Sequence, residues 1–419
     1  MSAGTIGTAI EAAVYRRPSD STMANTAYYL NGDFDLLLAH GLPERLSRLV
    51  PEMTLWYVPA AQNDDVVIVD ECIPADFVEY LADAGLQVPA LTREPVANGK
   101  QGHPWGWDRH AVDVLSRAGA VVDHPDLDTV RRVNGRSFSY ELATRLGRSV
   151  PGARMCRTAS EAARSLAAAG PWPRVVKPEH GNAGIGFRLV HNPGQAAAAV
   201  RYVTELLDKE NGPVFVEPWL ERRLDISVRF DVGRDGTFSR PGYAQARVSR
   251  SGASFAIVEP DAASGPCVHE EAFREVAVET AAALHKAGYW GPVNIDAMVA
   301  RMGTSERLFP LLEINARDSM SRIAHGIAGK LGCTCWRQLR TVGGARPGLP
   351  RTYEQLRTRL GASAFDPRTG RGILMVTPLT CGLPGRTPHR SIFFMAANTE
   401  QELLAIDRAL TSLLRSTAR

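Results

Sequence analysis

The stretch Leu311-Leu312-Glu313-Ile314-Asn315-Ala316-Arg317 sets an acid, an amide and a base on alternate positions behind two apolar residues. On a β-strand, positions i and i+2 point to the same face. Glu313 and Asn315 then converge on one point, with Arg317 next along the same edge. Hard oxygen donors paired this way suit Mg²⁺, which takes a few protein oxygens beside phosphate and water. The adjacent cation suits a second anionic group. A half-buried strand ending in polar residues carries the same letters, so the stretch acquires meaning only beside others.

One such stretch lies upstream. Arg174-Val175-Val176-Lys177-Pro178-Glu179-His180-Gly181-Asn182-Ala183-Gly184-Ile185-Gly186-Phe187 delivers a lysine at the end of an apolar run and then a glycine-rich loop. Gly181, Gly184 and Gly186 let backbone N–H groups approach phosphate oxygens closely. Lys177 adds a point charge. Only five of the 48 basic residues are lysines, so a lysine at this strand end departs from the chain's habit. The plain alternative is a glycine-rich hairpin with a surface lysine. A dinucleotide fingerprint fits poorly. Its glycines lead into a helix, whereas Phe187-Arg188-Leu189-Val190 reads as a strand.

The bulk properties bound the answer. The chain has 419 residues, 44% hydrophobic and 22% charged, enough for two or three domains of ordinary composition. A net charge of +3 gives no electrostatic case for nucleic acid or an anionic membrane. No apolar run approaches a membrane span, and no signal-like apolar core opens the sequence. Cys72, Cys156, Cys267, Cys333, Cys335 and Cys381 are scattered, and Cys333-Thr334-Cys335 has the wrong spacing for a zinc knuckle. Reduced thiols in a cytoplasmic protein are expected.

Along the chain, residues 1–24 read as a small, polar tail. From 25 to about 130, short apolar runs alternate with helical spacing, the pattern of a parallel-sheet domain. Within it, 36–50 reads as a helix, Leu55-Trp56-Tyr57-Val58 and Asp65–Val69 as strands, and 74–84 as a helix. Asp108 is the expected cap of the next helix. Helices are expected from Asn134 to about Val150, from a capping Ser160 to Ala169, and from Gly194 to about Leu207. Strands follow at 214–220, 225–232, near Tyr243 and Phe255, and at 291–299. Helices are expected at 273–286 and 323–331, and Pro347 and Pro350 mark a linker. Strands at 372–376 and 391–396 and a helix from Glu400 to Leu414 end the chain.

Other candidates come from separated pieces. Asp296, on a strand that can pair with that of Glu313, completes an oxygen cluster of Asp296, Glu313 and Asn315 for one or two Mg²⁺ ions. Equally, Asp296 can be a capping aspartate. Glu217, before Pro218, Trp219 and Leu220, can accept from an adenine amino group while the following backbone reads the ring edge, or sit solvated in a loop. Asp225 can accept from ribose hydroxyls or cap its strand. Arg229 and Arg247 are further anion contacts to consider in a chain rich in arginine.

In this order the pieces resemble the ATP-grasp superfamily: Lys177-Pro178 with Gly181 to Gly186, then Val216-Glu217-Pro218-Trp219-Leu220, Asp225-Ile226-Ser227-Val228, Asn294-Ile295-Asp296, and Glu313 to Arg317. The likeness covers roughly 130–335. Asn63 to Val69, Pro104-Trp105-Gly106-Trp107 and Val133 to Phe138 make the N-terminal portion similar to the pre-ATP-grasp domain. The C-terminal segment is similar to the tail domain of the pheganomycin-type peptide ligases. One departure is Arg136, which stands where many relatives carry a first phosphate-binding lysine. Arginine keeps the charge and adds a fork of donors.

The resemblance implies an α/β (α+β) protein: a tail (1–24), a pre-ATP-grasp domain (25–130), a lid subdomain (131–212), a nucleotide and metal core (213–340) and a C-terminal α/β segment (341–419). It implies an ATP- and Mg²⁺-dependent, ADP-forming ligase of natural-product (antibiotic) biosynthesis. Such an enzyme activates a small carboxylate or amino acid as an acyl phosphate and passes it to an amine or peptide. Loading of a carrier-protein thiol is one alternative and non-catalytic nucleotide binding another. A homodimer is compatible with it. By the same resemblance Arg136, Lys177 and the glycines hold phosphates. Glu217, Trp219, Leu220 and Asp225 hold the nucleoside. Asp296, Glu313 and Asn315 hold metal, and Arg317 and Lys177 act in catalysis.

Overall fold

The computed structural model describes residues 15–16, 25–39, 49–93, 99–181, 186–210, 212–248, 254–260, 269–343, 348–381 and 387–415. Nearly all of the expected tail, together with Gly184 and Pro347, lies outside these residues.

The N-terminal sheet is wholly parallel, in the spatial order Ala90–Thr92, Val66–Ile68, Thr26–Tyr29, Gln101–Pro104. Val66, Val67 and Ile68 are all buried, which is why this strand reads as an unbroken apolar run. The Ala75–Asp83 helix makes one crossover, burying Phe77, Tyr80 and Leu81. Asp108 caps the Arg109–Arg117 helix as expected, accepting from the Ala111 backbone at 2.7 Å.

A second, antiparallel sheet runs Arg154–Cys156, Val214–Pro218, Arg174–Lys177, Arg188–Val190. The helices Ala159–Ala167 and Ala196–Glu210 pack with it around Ala162, Leu166, Val176, Val190 and Val203. This core is separate from the main one, so the layer is a small unit of its own.

The third sheet is built on the long Glu221–Val232 strand. On one side of it lie Gly291–Met302 and then Ser305–Asn315; on the other lie Gly242–Val248, Ser254–Glu259, Trp336–Gly343, Arg390–Ala397 and Gly372–Met375. The Trp336–Gly343 strand crosses the expected boundary at 340/341 and joins the C-terminal strands to the core. The Met320–Lys330 helix lies over part of one face of this sheet, and the loop before it docks the N-terminal domain. There Asp318 accepts from Tyr57 Oη at 2.5 Å, and its backbone N–H donates to the Trp105 carbonyl at 2.8 Å.

Three local expectations are corrected. Leu55–Val58 is no strand: Thr54–Tyr57 is a 3-10 turn after the Val50–Met53 helix. All four residues are buried, so their apolar run carries no period to separate strand from helix. Asn134 does not start a helix. It closes Leu127–Val133, and its side chain bonds both the Ala316 N–H and carbonyl, while the next helix begins at Arg136. The cap near Ser160 is Thr158, in a reciprocal capping box with Glu161.

Among the described residues no helix is long and apolar enough to cross a membrane. Five of the six cysteines fall within them, and none of the five is in a disulfide.

Candidate active site

The hairpin of Gly291–Met302 and Ser305–Asn315 sets Asp296 directly opposite Glu313 and Asn294 opposite Asn315. The i, i+2 rule does the rest: all four side chains share one face. Asp296 receives an amide on each oxygen, from Asn294 at 3.0 Å and from Asn315 at 3.1 Å. Ser227, across the sheet from Asp296, donates to Asn294 Oδ1 and so fixes which end of that amide faces the acid. Sequence reasoning passed over Asn294 and Ser227, although both sit two residues from residues it had singled out.

Three cations close on these carboxylates. Arg136, at the first position of its helix, donates to Glu313 Oε1 at 2.6 Å and to the Pro178 carbonyl. Arg317 donates to Asn315 Oδ1 at 3.1 Å and to Asp35 Oδ1 at 2.7 Å. Lys177 is ion-paired with Glu217 from the neighbouring strand. Burial alone would raise the Glu313 pKa, but Arg136, Lys177 and Arg317 outweigh it and hold it below the usual range. Asp296 is pushed the other way, to about 7, by burial first and then by the charge of Glu313.

The glycine-rich segment is anchored beside them. Glu179 accepts from the Ser137 hydroxyl at 2.8 Å, and its carbonyl accepts from the Arg136 N–H at 2.9 Å. A Cβ on Gly135 would meet the Glu179 carboxylate, so a larger residue there would push that carboxylate off Ser137. Gly186 has φ of 83°, the left-handed region glycine adopts without strain, and its carbonyl accepts from Tyr202. Phe187 then lies 5.2 Å from the Arg136 guanidinium and 5.5 Å from the Lys177 ammonium, a double cation–π contact that no sequence signal had flagged.

These groups face a cleft of about 340 Å³. Arg136, Lys177, Gly181, Asp225, Asp296, Glu313, Asn315 and Arg317 line it, together with Asp35 and Trp105 of the N-terminal domain. Asp225 is bonded to Arg222 at 3.1 Å. Glu217, Trp219, Leu220 and Gly186 are not among the lining residues. Glu217 is turned to Lys177, Trp219 stacks on Arg222, and Leu220 packs near Met298 and Phe309. Arg229 is corrected from an anion contact to a structural one, buried 2.5 Å from Glu259 and beside His325. Arg247, beside a bulge in its strand, is not among the lining residues. Among the described residues no group of three or more His, Cys, Asp or Glu side chains could hold a metal ion, and the oxygen set here is two carboxylates and an amide.

No protein-family model and no curated protein sequence matches the chain. Solved structures do. Biotin carboxylase from Campylobacter jejuni, in complex with β-γ-ATP, aligns at 12% identity and a TM-score of 0.53, over 92% of this chain and 90% of that one. N5-carboxyaminoimidazole synthetase from Staphylococcus aureus, in complex with ADP, aligns at 11% identity and a TM-score of 0.53, over 93% and 97%. The biotin carboxylase domain of 2-oxoglutarate carboxylase from Hydrogenobacter thermophilus, a dimer in complex with MgADP, ADP and bicarbonate, aligns at 15% identity and a TM-score of 0.51, over 76% and 74%. At such identities the likeness bears on architecture. The chain has the ATP-grasp fold, with a parallel N-terminal sheet, a small antiparallel layer and a carboxylate-bearing core sheet.

Proposed function

We propose that this chain is an ATP-dependent, ADP-forming ligase that joins a carboxylate to an amine through an acyl phosphate. The observation that carries the reading is the opposition of Asp296 and Glu313 on paired strands beneath Arg136, Lys177 and Arg317, in one cleft of an ATP-grasp fold. The solved relatives that bind ATP, ADP or MgADP lend it support.

Mg²⁺ fits the donor set. Two facing carboxylates and an amide oxygen are hard donors, in the small number this ion takes from protein when phosphates complete its shell. Asp296, Glu313 and Asn315 would hold it, and when bound it supplies charge neutralisation to the phosphates. The side chains do the remainder. Phosphoryl transfer needs positioning and charge compensation more than covalent help from the protein. Arg136 and Lys177 are placed to hold phosphate oxygens, each now resting on a carboxylate that a nucleotide would displace or share. Gly181 brings backbone to the same wall. Arg317 is held between Asp35 and Asn315 and faces the position where an acyl phosphate and then a tetrahedral oxyanion would gather charge. The glycine-rich hairpin would exclude water that otherwise hydrolyses the activated acyl group. Glu217 serves in this reading as the partner that positions Lys177; contact of Glu217, Trp219 and Leu220 with adenine requires movement of that strand end.

The domain ranges given above, the natural-product setting and the cytoplasmic location belong to the same proposal. The test is incubation with Mg-ATP, a panel of carboxylic acids and hydroxylamine. The expected result is acid-dependent hydroxamate and ADP in equal amounts. ADP without hydroxamate for every acid, or no ADP at all, overturns it.

A further inference from the structure

The cleft has a second end that the phosphate chemistry leaves idle. Five cations line the cleft as a whole, and four are neutralised: Arg136 by Glu313, Lys177 by Glu217, Arg222 by Asp225 and Arg317 by Asp35. The fifth is Arg390. Among the described residues its side chain makes no hydrogen bond or ion pair. Its side chain keeps contact with solvent, yet surrounding protein with no anion beside it depresses its pKa.

Arg390 is nevertheless firmly seated. It opens the Arg390–Ala397 strand opposite Gly343. The preceding His389 is clamped to buried Glu52 of the N-terminal domain, through its backbone N–H at 2.7 Å and Nδ1 at 2.8 Å. Between Arg390 and the carboxylates the cleft has a mostly apolar lining, broken by Ser227 and Thr341. Ile257 and Leu339 are paired on its floor, Met53 and Trp56 face it from the N-terminal domain, and Phe255 is 37% exposed. Five strand spacings separate the Asp296 strand from that of Arg390. At about 4.8 Å each this is about 24 Å along the sheet, which the arginine side chain shortens by its own reach. An extended residue spans about 3.3–3.6 Å, so the gap suits a few residues rather than one.

We propose that this end of the cleft holds the free C-terminal carboxylate of a short apolar peptide on Arg390, with the peptide's amine directed toward Arg317 as the acceptor of the ligation. The proposal rests on the ligase reading above. In the step it serves, the amine nitrogen bonds to the acyl carbon and the bond from that carbon to the phosphate oxygen breaks. Inorganic phosphate leaves, and the amine releases a proton to solvent. Arg390 touches the far end of the acceptor and takes no part in bond making.

The test uses the full chain. Hydroxamate formation without any peptide probes activation alone; its absence overturns the ligase reading and this one together. With an activated acid in hand, apolar di- and tripeptides are offered as free acids and as C-terminal amides. A charge-assisted pair should make KM for the free acids about ten-fold or more below that for the amides. In R390Q the preference should collapse through a higher free-acid KM with kcat little changed, and R390K should restore much of it. Equal KM values for acid and amide with the unmodified protein, acceptance of no peptide, or a preserved preference in R390Q overturn the assignment while hydroxamate formation stands. The acid–amide comparison needs no variant, so poor folding of R390Q does not shield the idea.

Discussion

Arg317 Nε donates to Asp35 Oδ1 at 2.7 Å, joining the edge of the carboxylate strand to a helix of the N-terminal domain 282 positions away. The two side chains are only 12% and 10% exposed. The N-terminal domain therefore aims the guanidinium that faces the cleft. Asp35→Ala should destabilise the protein by about 3–5 kcal/mol in urea unfolding, because removing one partner strands a buried charge. The figure belongs toward the lower part of that range, since Asp296 and Glu313 still act on Arg317. Asp35→Asn, which keeps an acceptor, should lose less. ADP release should fall more than nucleotide affinity in both. A variant as stable and active as the parent would reduce the pair to a passive contact.

Glu313→Gln should abolish ADP release while the fold survives. The change removes one of two facing carboxylates and the anionic partner of Arg136. Loss of a charged oxygen donor removes several kcal/mol of charge stabilisation on the general scale for metal-assisted catalysis. Near-normal turnover in a variant with unchanged circular dichroism would exclude Glu313 from the site.

Lys177→Ala should weaken ATP binding by about ten-fold or more, as loss of a charge-assisted phosphate contact does. Lys209→Ala, at an exposed position of the Ala196–Glu210 helix, should leave the affinity alone. Lys177→Ala also deprives Glu217 of its partner. Combining it with Glu217→Gln should recover stability but not ATP affinity, as read by thermal melts and titration calorimetry. Recovery of both would make the pair structural only.

Glu259 offers a stability test away from the cleft. Burial would raise its pKa, but Arg229, His325 and Arg337 outweigh this and hold it at about 2, below an ordinary 4.5. A carboxyl with a depressed folded-state pKa stabilises fully above its unfolded value, and that contribution fades as pH falls from about 4.5 through about 2. The shift corresponds to about 3 kcal/mol as an order of magnitude. Glu259→Gln should therefore be less stable than the parent at pH 7 by roughly this amount, with the gap narrowing in urea melts at pH 4, 3 and 2. A gap independent of pH would show that Glu259 titrates alike in both states.

Much of this architecture was legible because short-range rules set it. The i, i+2 spacing of Glu313 and Asn315 and the apolar strands around Asp296 were enough to bring the three together. The parallel N-terminal sheet was legible in its β-α alternation, and Asp108 as a cap in its chemistry. What escaped depends on contacts between distant segments. Asp35 meets Arg317, Phe187 sits under two cations, and Asn134 bridges to Ala316, and none carries a local signature. The Leu55–Val58 run was misread because a fully buried segment has no polar face to betray its period. The partner of Lys177 was missed because Glu217 reads as a loop acid until the two strands are laid side by side.

The order of bond making gives the last test. If Arg317 faces the charge of an acyl phosphate, one oxygen of the substrate carboxylate must leave with the phosphate. Labelling that carboxylate with heavy oxygen should give phosphate carrying one label and an amide product with one label fewer. Adenylation would leave the phosphorus products differently marked, with AMP carrying the label and pyrophosphate none. The placement of Arg136 and Lys177 over the facing pair of Asp296 and Glu313 concentrates charge at one end of the cleft, as transfer of the terminal phosphoryl group requires. Attack at the α-phosphate would instead demand that compensation nearer the nucleoside. Labelled AMP would therefore overturn the assignment of Arg317 and the acyl phosphate together, even if amide formation itself were intact.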